Sequence, residues 1–197
     1  MLCQTDVNPA MRSILLDWLV DVHLKFKLEA ETLHLTVNLL DRYLEKEVVS
    51  RRKLQLVGLS ALFIASKYEE VLPPEASDFV HISDKAFTRK QLLTMEGRML
   101  STLAFHLTAP SSLLFLTRFA TIARLERDPP CRTQMLARYL LELALPQCSF
   151  YSHPQSLLAA TALHLALRTM GQSAWVRQLP AIEPRWRASA ALRCGHT

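Results

Sequence analysis

The sequence predicts an all-α chain of two helical bundles, and three observations carry that prediction. Half of the 197 residues are apolar and 21% are charged, a globular composition. Only 4 residues are glycine, leucine and alanine are abundant, and alternating β-branched runs are rare, which favours helix over strand. The apolar residues recur at helical spacing between prolines, and Thr108-Ala109-Pro110 divides a first series of such patterns from a second. The expected units are therefore residues 1–108 and 109–197.

The first helix is expected from about Pro9 to Lys27, with Asn8 as N-cap and Pro9 at the first helical position. It has too many apolar residues for one buried stripe. Leu16, Leu19, Val20 and Leu24 suffice to seat one face in a core, while Met11, Ile14, Leu15 and Trp18 form another set at i, i+3, i+4 and i+7. A helix apolar on more than one side is either buried all round or offers a side to a partner. A second helix fits Ala30 to Leu44, with Leu33, Val37, Leu40 and Leu44 in register. The third follows Ser50, a suitable N-cap, and runs to about Glu69. It is the most apolar, and Gly58, Ser60, Ala61 and Ala65 let neighbours come close, so it is expected at the centre; Pro73-Pro74 stops it. A short helix covers Glu75 to Val80, and a fifth starts at the capping box Thr88-x-x-Gln91 and ends near Leu103.

Pro110 opens the second series, with helical patterns over Ser111 to Leu125, Cys131 to Leu145 and Pro154 to Met170. After Gly171 the signal fades to one or two weak helices at most.

The net charge of +5 is uneven. Residues 1–109 carry 13 Lys and Arg against 14 Asp and Glu, whereas residues 110–197 carry 10 Arg against 4 acids. The arginines are scattered, the densest cluster being Arg185-Trp186-Arg187, so they read as solvated helix faces rather than a nucleic-acid surface. The apolar runs Leu54 to Ala65 and Leu157 to Leu167 are too short to span a bilayer, and no signal peptide is visible. Cys3, Cys131, Cys148 and Cys194 are far apart without a CxxC pair, and read as reduced thiols of an intracellular protein.

Enzyme chemistry finds no foothold. A phosphate-binding glycine loop is absent, the seven histidines form no HxxxH pair, and no nucleophile-elbow glycines accompany any serine. Glu69 and Glu70 are neighbours that point different ways on a helix. No catalytic residue, metal site or cofactor is expected.

The segment Met11-Arg-Ser-Ile-Leu-Leu-Asp-Trp-Leu-Val resembles the opening helix of the cyclin box in A- and B-type cyclins. Further matches follow in order: Glu31-Thr-Leu-His-Leu-Thr-Val-Asn, Asp41-Arg-Tyr-Leu, Lys53-Leu-Gln-Leu-Val-Gly and Ala65-Ser-Lys-Tyr-Glu-Glu. Pro73-Pro-Glu, Phe79-Val-His-Ile-Ser-Asp, Met95-Glu and Leu103-Ala-Phe-His-Leu-Thr-Ala-Pro complete the run. In the second half, Ser156-Leu-Leu-Ala-Ala-Thr-Ala-Leu-His-Leu-Ala-Leu looks like the third helix of the family's second bundle.

The resemblance implies a cyclin fold, two five-helix bundles in tandem, with the second incomplete or divergent here. It implies a regulatory subunit of a cyclin-dependent kinase that supplies no catalytic group and works in the nucleus, the cytoplasm or both. Lys67 and Glu96 match the family's kinase-contacting pair. Tyr68, where the family usually has Phe, and Glu69 stand beside it, and Phe105 and Leu107 match apolar contacts beyond the fifth helix. Met11, Ile14, Leu15 and Trp18 match a patch that docks Arg-x-Leu peptides of substrates or inhibitors, with Asp21, Arg51 and Gln55 as its polar rim. Asp21 is one methylene shorter than the Glu the family often has. Arg12 and Asp41 match an internal pair that ties the first helix to the second. Arg-x-x-Leu also occurs at Arg51 to Leu54, Arg89 to Leu92 and Arg138 to Leu141, each inside an expected helix. The competing expectation, prompted by the divergent, basic second half, is a cyclin-fold scaffold or TFIIB-type transcription module that activates no kinase.

Overall fold

The computed structural model describes residues 4–123, 125, 131–150 and 153–171, and among them no strand occurs. They divide into two compact units, one of residues 1–111 with 145–149 and one of residues 112–144 with 150–197.

The first unit holds five α-helices. Helix α1 (Pro9–Phe26) starts where the Asn8 side chain accepts the Met11 N–H at 2.8 Å, and stops at Lys27, whose backbone is left-handed (φ 54°). Helices α2 (Ala30–Lys46) and α3 (Arg51–Glu69) follow, then the short α4 (Ala76–Ile82) with a Glu75/Asp78 capping box. Helix α5 (Arg89–Thr102) begins with the expected Thr88/Gln91 box, so two of its orphan N–H groups are satisfied by local side chains. Helix α3 is central: α1, α2, α4 and α5 all pack on it, and Val57, Ala61, Leu62 and Ala65 have no exposed surface. Phe79 packs its ring 5.1 Å from both Phe26 and Phe63, tilted or edge-on, an arrangement that adds about 0.5–1.5 kcal/mol per pair beyond burial.

The second unit places α8 (Gln155–Thr169) against both α6 (Ser112–Ile122) and α7 (Arg132–Ala144). The buried alanines 159, 160, 162 and 166 of α8 allow that double contact. The weak helices expected after Gly171, and the Cys3 and Cys194 thiols, lie outside the described residues. Cys131 and Cys148 are free thiols. No helix among the described residues is long and apolar enough to cross a membrane. The three Arg-x-x-Leu segments lie within α3, α5 and α7.

Three local expectations are corrected. Leu24 is 64% exposed instead of core, because α1 is in its last turn there and the chain turns away after it. Val20 is half-buried because it stands, like Leu24, to one side of the core face of α1, which is formed by Leu15, Leu16, Leu19 and Val22. Ser50 occupies the N-cap position of α3 but its hydroxyl caps nothing; Asp6 Oδ2 accepts the Arg51 N–H instead, at 2.8 Å. Asp6 belongs to a strap that composition did not reveal. Gln4 Nε2 donates to the carbonyls of Leu44 and Glu47 at 2.6 Å each, Gln4 Oε1 accepts the Val49 N–H at 3.0 Å, and Val7 is buried. The Gln4 amide and the Asp6 carboxylate thus satisfy backbone groups of the α2–α3 turn.

Candidate functional site

Two surfaces of the first unit gather the predicted site residues, and both depend on α3. The first is a groove between α1 and α3. Met11, Ile14, Leu15 and Trp18 line it from α1 and Arg51, Leu54 and Gln55 from α3, around about 280 Å³. Ile14 is 69% exposed, Met11 and Trp18 are half-buried, and Leu15 is buried with its side chain as floor. Leu15 reaches that depth because α3 has no side chain at Gly58: a Cβ there would meet Leu15 Cδ1 at 2.9 Å and Cδ2 at 3.0 Å. The Arg51 guanidinium lies 4.0 Å from Met11 Sδ, across the groove mouth. Asp21 is exposed on α1, one turn beyond Trp18, and is not part of the lining. Leu54 is the lining residue that motif matching passed over, although its i+3 relation to Arg51 on α3 was readable.

The second surface lies where the last turn of α3 meets the middle of α5. Lys67 of α3 and Glu96 of α5 form an ion pair, and the Lys67 ammonium also sits 4.2 Å from the centre of the Phe63 ring. Glu96 is buried, whereas the Lys67 side chain is 41% exposed, so the pair presents a cation outward over an anion held in place. Tyr68 is half-exposed, with its hydroxyl 2.6 Å from Thr108 Oγ1. Glu69 closes α3 at the surface, its carboxyl held above the usual range by partial burial and then by the charges of Glu31 and Glu70. Phe105 is 69% exposed on a turn of two left-handed residues, Ala104 (φ 51°) and Phe105 (φ 59°), while Leu107 folds back against the core. Val71 and Leu72, between α3 and α4, are 96% and 89% exposed. Their signal in the sequence is two apolar residues set between Glu69-Glu70 and Pro73-Pro74, in a turn.

Arg12 and Asp41 sit apart from both surfaces, buried and bidentate, with Nε to Oδ1 at 2.6 Å and Nη2 to Oδ2 at 2.7 Å. Burial pushes the Asp41 carboxyl upward, against the pull of Arg12. Arg12 Nη1 also donates to the carbonyls of Leu145 and Pro146 at 3.1 and 3.2 Å, and Ser13 Oγ donates to Pro146 at 2.9 Å. Each of the three guanidinium nitrogens of Arg12 thus has a hydrogen-bond acceptor, as a buried guanidinium requires. Among the described residues, no three His, Cys, Asp or Glu side chains converge as a metal site.

Residues 1–108 match the family model of the cyclin N-terminal domain, and residues 110–183 that of the cyclin C-terminal domain. The chain belongs to the cyclin family. It is 51% identical over 173 residues to Cyclin-B2-2 of Arabidopsis thaliana, covering 87% of this chain and 39% of that protein. It is 46% identical over 167 residues to the G2/mitotic-specific cyclin-2 of Medicago sativa, covering 85% of this chain and 50% of that one. This cyclin therefore spans half or less of those relatives. Among solved structures it resembles a viral cyclin from herpesvirus saimiri, with a TM-score of 0.85 and 26% identity over 95% of this chain and 83% of the viral one. A chain of the yeast RNA Pol II CTD kinase CTDK-1 complex shares the fold, with a TM-score of 0.71 and 17% identity over 85% of this chain and 57% of that chain.

Proposed function

We propose that this cyclin is a non-catalytic regulatory subunit that binds and activates a cyclin-dependent protein kinase. The observation that carries the reading is the Lys67–Glu96 pair, flanked by the exposed rings of Tyr68 and Phe105 on one end of the first unit. An active kinase needs the glutamate of its αC helix paired with the strand lysine that holds the ATP phosphates. A rigid surface packed on that helix favours the inward position, and the population shift is limited by its differential affinity for the two kinase states. The exposed apolar side chains supply contact area, and the anchored Lys67 ammonium offers a donor to carbonyls or carboxylates at the end of the kinase helix. Glu69 stands at the rim of this contact.

The α1–α3 groove is the substrate-docking element of the same reading. Its apolar floor suits the leucine of an Arg-x-Leu peptide, and Asp21, exposed on α1 one turn beyond Trp18 though outside the lining, is the acid assigned to the arginine. Weak docking suffices, because tethering raises the effective concentration of a phosphosite at the kinase. In this reading, residues 1–108 form the kinase-contacting cyclin box, residues 109–197 a divergent second box, and the protein works inside the cell, in the nucleus, the cytoplasm or both. The scattered arginines argue against nucleic acid as a partner, and no described helix is long and apolar enough to cross a membrane.

The test mixes the purified chain with a panel of cyclin-dependent kinases and measures both complex formation and histone phosphorylation. At least one kinase should bind and gain activity. Lys67→Glu should weaken that complex tenfold or more, and Trp18→Ala should leave the complex intact while reducing phosphorylation of Arg-x-Leu substrates. Binding without activation by every kinase would favour the scaffold reading, and no complex at all would overturn the proposal.

A further inference from the structure

A second cleft opens on the opposite side of α3 from the groove. We propose that it receives the flank of the same docking peptide, an apolar side chain next to a carboxylate. This inference rests on the docking reading above and extends it to the peptide class.

The first two turns of α3 serve both sites. Arg51, Leu54 and Gln55 face the groove, while Ser50, Lys53 and Val57 face the cleft. The two are therefore separated by one helix width, roughly 10 Å, which about three extended residues span. The cleft encloses about 310 Å³, enough for one large side chain. Its floor is apolar and buried, formed by Tyr43, Val49, Val57 and Met95, and the 61% exposed Val48 forms one wall. The Tyr43 hydroxyl lies 3.8 Å from Met95 Sδ and also hydrogen-bonds the Arg98 side chain, so its polar capacity is met within the cleft wall and the floor is left to an apolar guest.

The charges at the rim decide the rest. Arg98 is tied to Glu47 at 2.6 Å, and the Asp6 carboxylate accepts the Arg51 N–H at the start of α3. Lys53 is exposed, and among the described residues no carboxylate pairs with it. The N-terminal amide of α3 is already capped, so the attraction for an anion comes from the Lys53 ammonium rather than from the helix end. A carboxylate beside the buried apolar side chain complements that ammonium at the mouth. A peptide anchored in the groove brings both groups across α3 without a second encounter.

The experiment compares three labelled peptides by fluorescence anisotropy on the full chain: an Arg-x-Leu core, and the core extended by six residues ending in Leu-Glu at either its N- or C-terminal side. One extension should tighten binding three- to tenfold. Lys53→Glu and Val48→Asp, both at exposed positions, should return that peptide to the affinity of the core and leave the core itself unchanged. Replacing the peptide's Glu by Lys should restore the gain in Lys53→Glu. If the core binds but neither extension tightens it, or if the gain survives both variants, the cleft inference is overturned and the groove stands. If the core fails to bind, both are overturned.

Discussion

Phe105 shows how a single residue is displayed at the expense of backbone comfort. Ala104 and Phe105 both hold left-handed dihedrals, a conformation that costs an L residue about 1–2 kcal/mol. The turn persists because Ala104 N–H donates to Ser101, Phe105 N–H to Leu100 and His106 N–H to Leu103, at 2.9 to 3.0 Å. These bonds close α5 and push the Phe105 ring into solvent. Ala104→Gly should relieve the strain, partly offset by the greater unfolded-state freedom of glycine, for a net gain of about 0.5–1 kcal/mol. Thermal unfolding would register this as a rise of a few degrees. Phe105→Ala should change stability by less than about 0.5 kcal/mol, because the ring touches solvent rather than core, yet weaken the kinase complex tenfold or more. A substantial drop in stability for Phe105→Ala would mean that the ring serves the fold and not a partner.

At the scale of the element, α1 and α3 form one machine part whose fit is set by Gly58. Helical periodicity in α1 made the set Met11, Ile14, Leu15 and Trp18 legible, but the core face only in part: Leu16 and Leu19 are core, while Val20 is half-buried and Leu24 exposed. The depth of each residue was not legible. Leu15 is both groove floor and core because a neighbour 43 positions later lacks a side chain, and no local rule places that absence opposite it. Gly58→Ala introduces a methyl 2.9–3.2 Å from three Leu15 carbons, and only the side chain of Leu15 can yield. Overpacking costs about 1–3 kcal/mol and the better helix propensity of alanine returns about 1, so a net loss near 1 kcal/mol is expected. The displaced Leu15 should narrow the groove, so the Arg-x-Leu peptide should bind at least threefold more weakly while kinase affinity stays constant. Titration of both ligands against the one variant checks this, and equal loss of both would show that Gly58 supports the whole unit instead.

For the whole molecule, what the sequence made readable and what it hid follow one division. The caps Asn8 and Thr88 and the central α3 depend on residues a few positions apart, and all were readable. The Arg12 contacts with the carbonyls of Leu145 and Pro146, and the Gln4 and Asp6 strap on the α2–α3 turn, join positions more than 40 apart and appear only once the chain is folded. The same long-range burial shapes the pH response. His34 is buried in α2, and desolvation, followed by the nearby His23, pushes its imidazole down to about 4 from an ordinary 6.5. His23 is buried as well, with Nε2 3.0 Å from the Glu29 carbonyl oxygen, the geometry of a ring N–H donating to that carbonyl. Between those two pH values the unfolded chain takes up a proton that folded His34 refuses, so stability present at neutral pH is lost as the pH falls through this window. The loss should reach about 2 kcal/mol at pH 5 and about 3 kcal/mol at pH 4. Glu69 works in the opposite direction, since its raised folded value makes the native state the better proton acceptor, but its exposure leaves that contribution small. Urea midpoints for the intact chain and for His34→Gln, measured from pH 7 to pH 4.5, separate the two. The intact chain should weaken steadily across that range and the variant should weaken far less. Parallel curves would show that His34 does not carry the acid sensitivity.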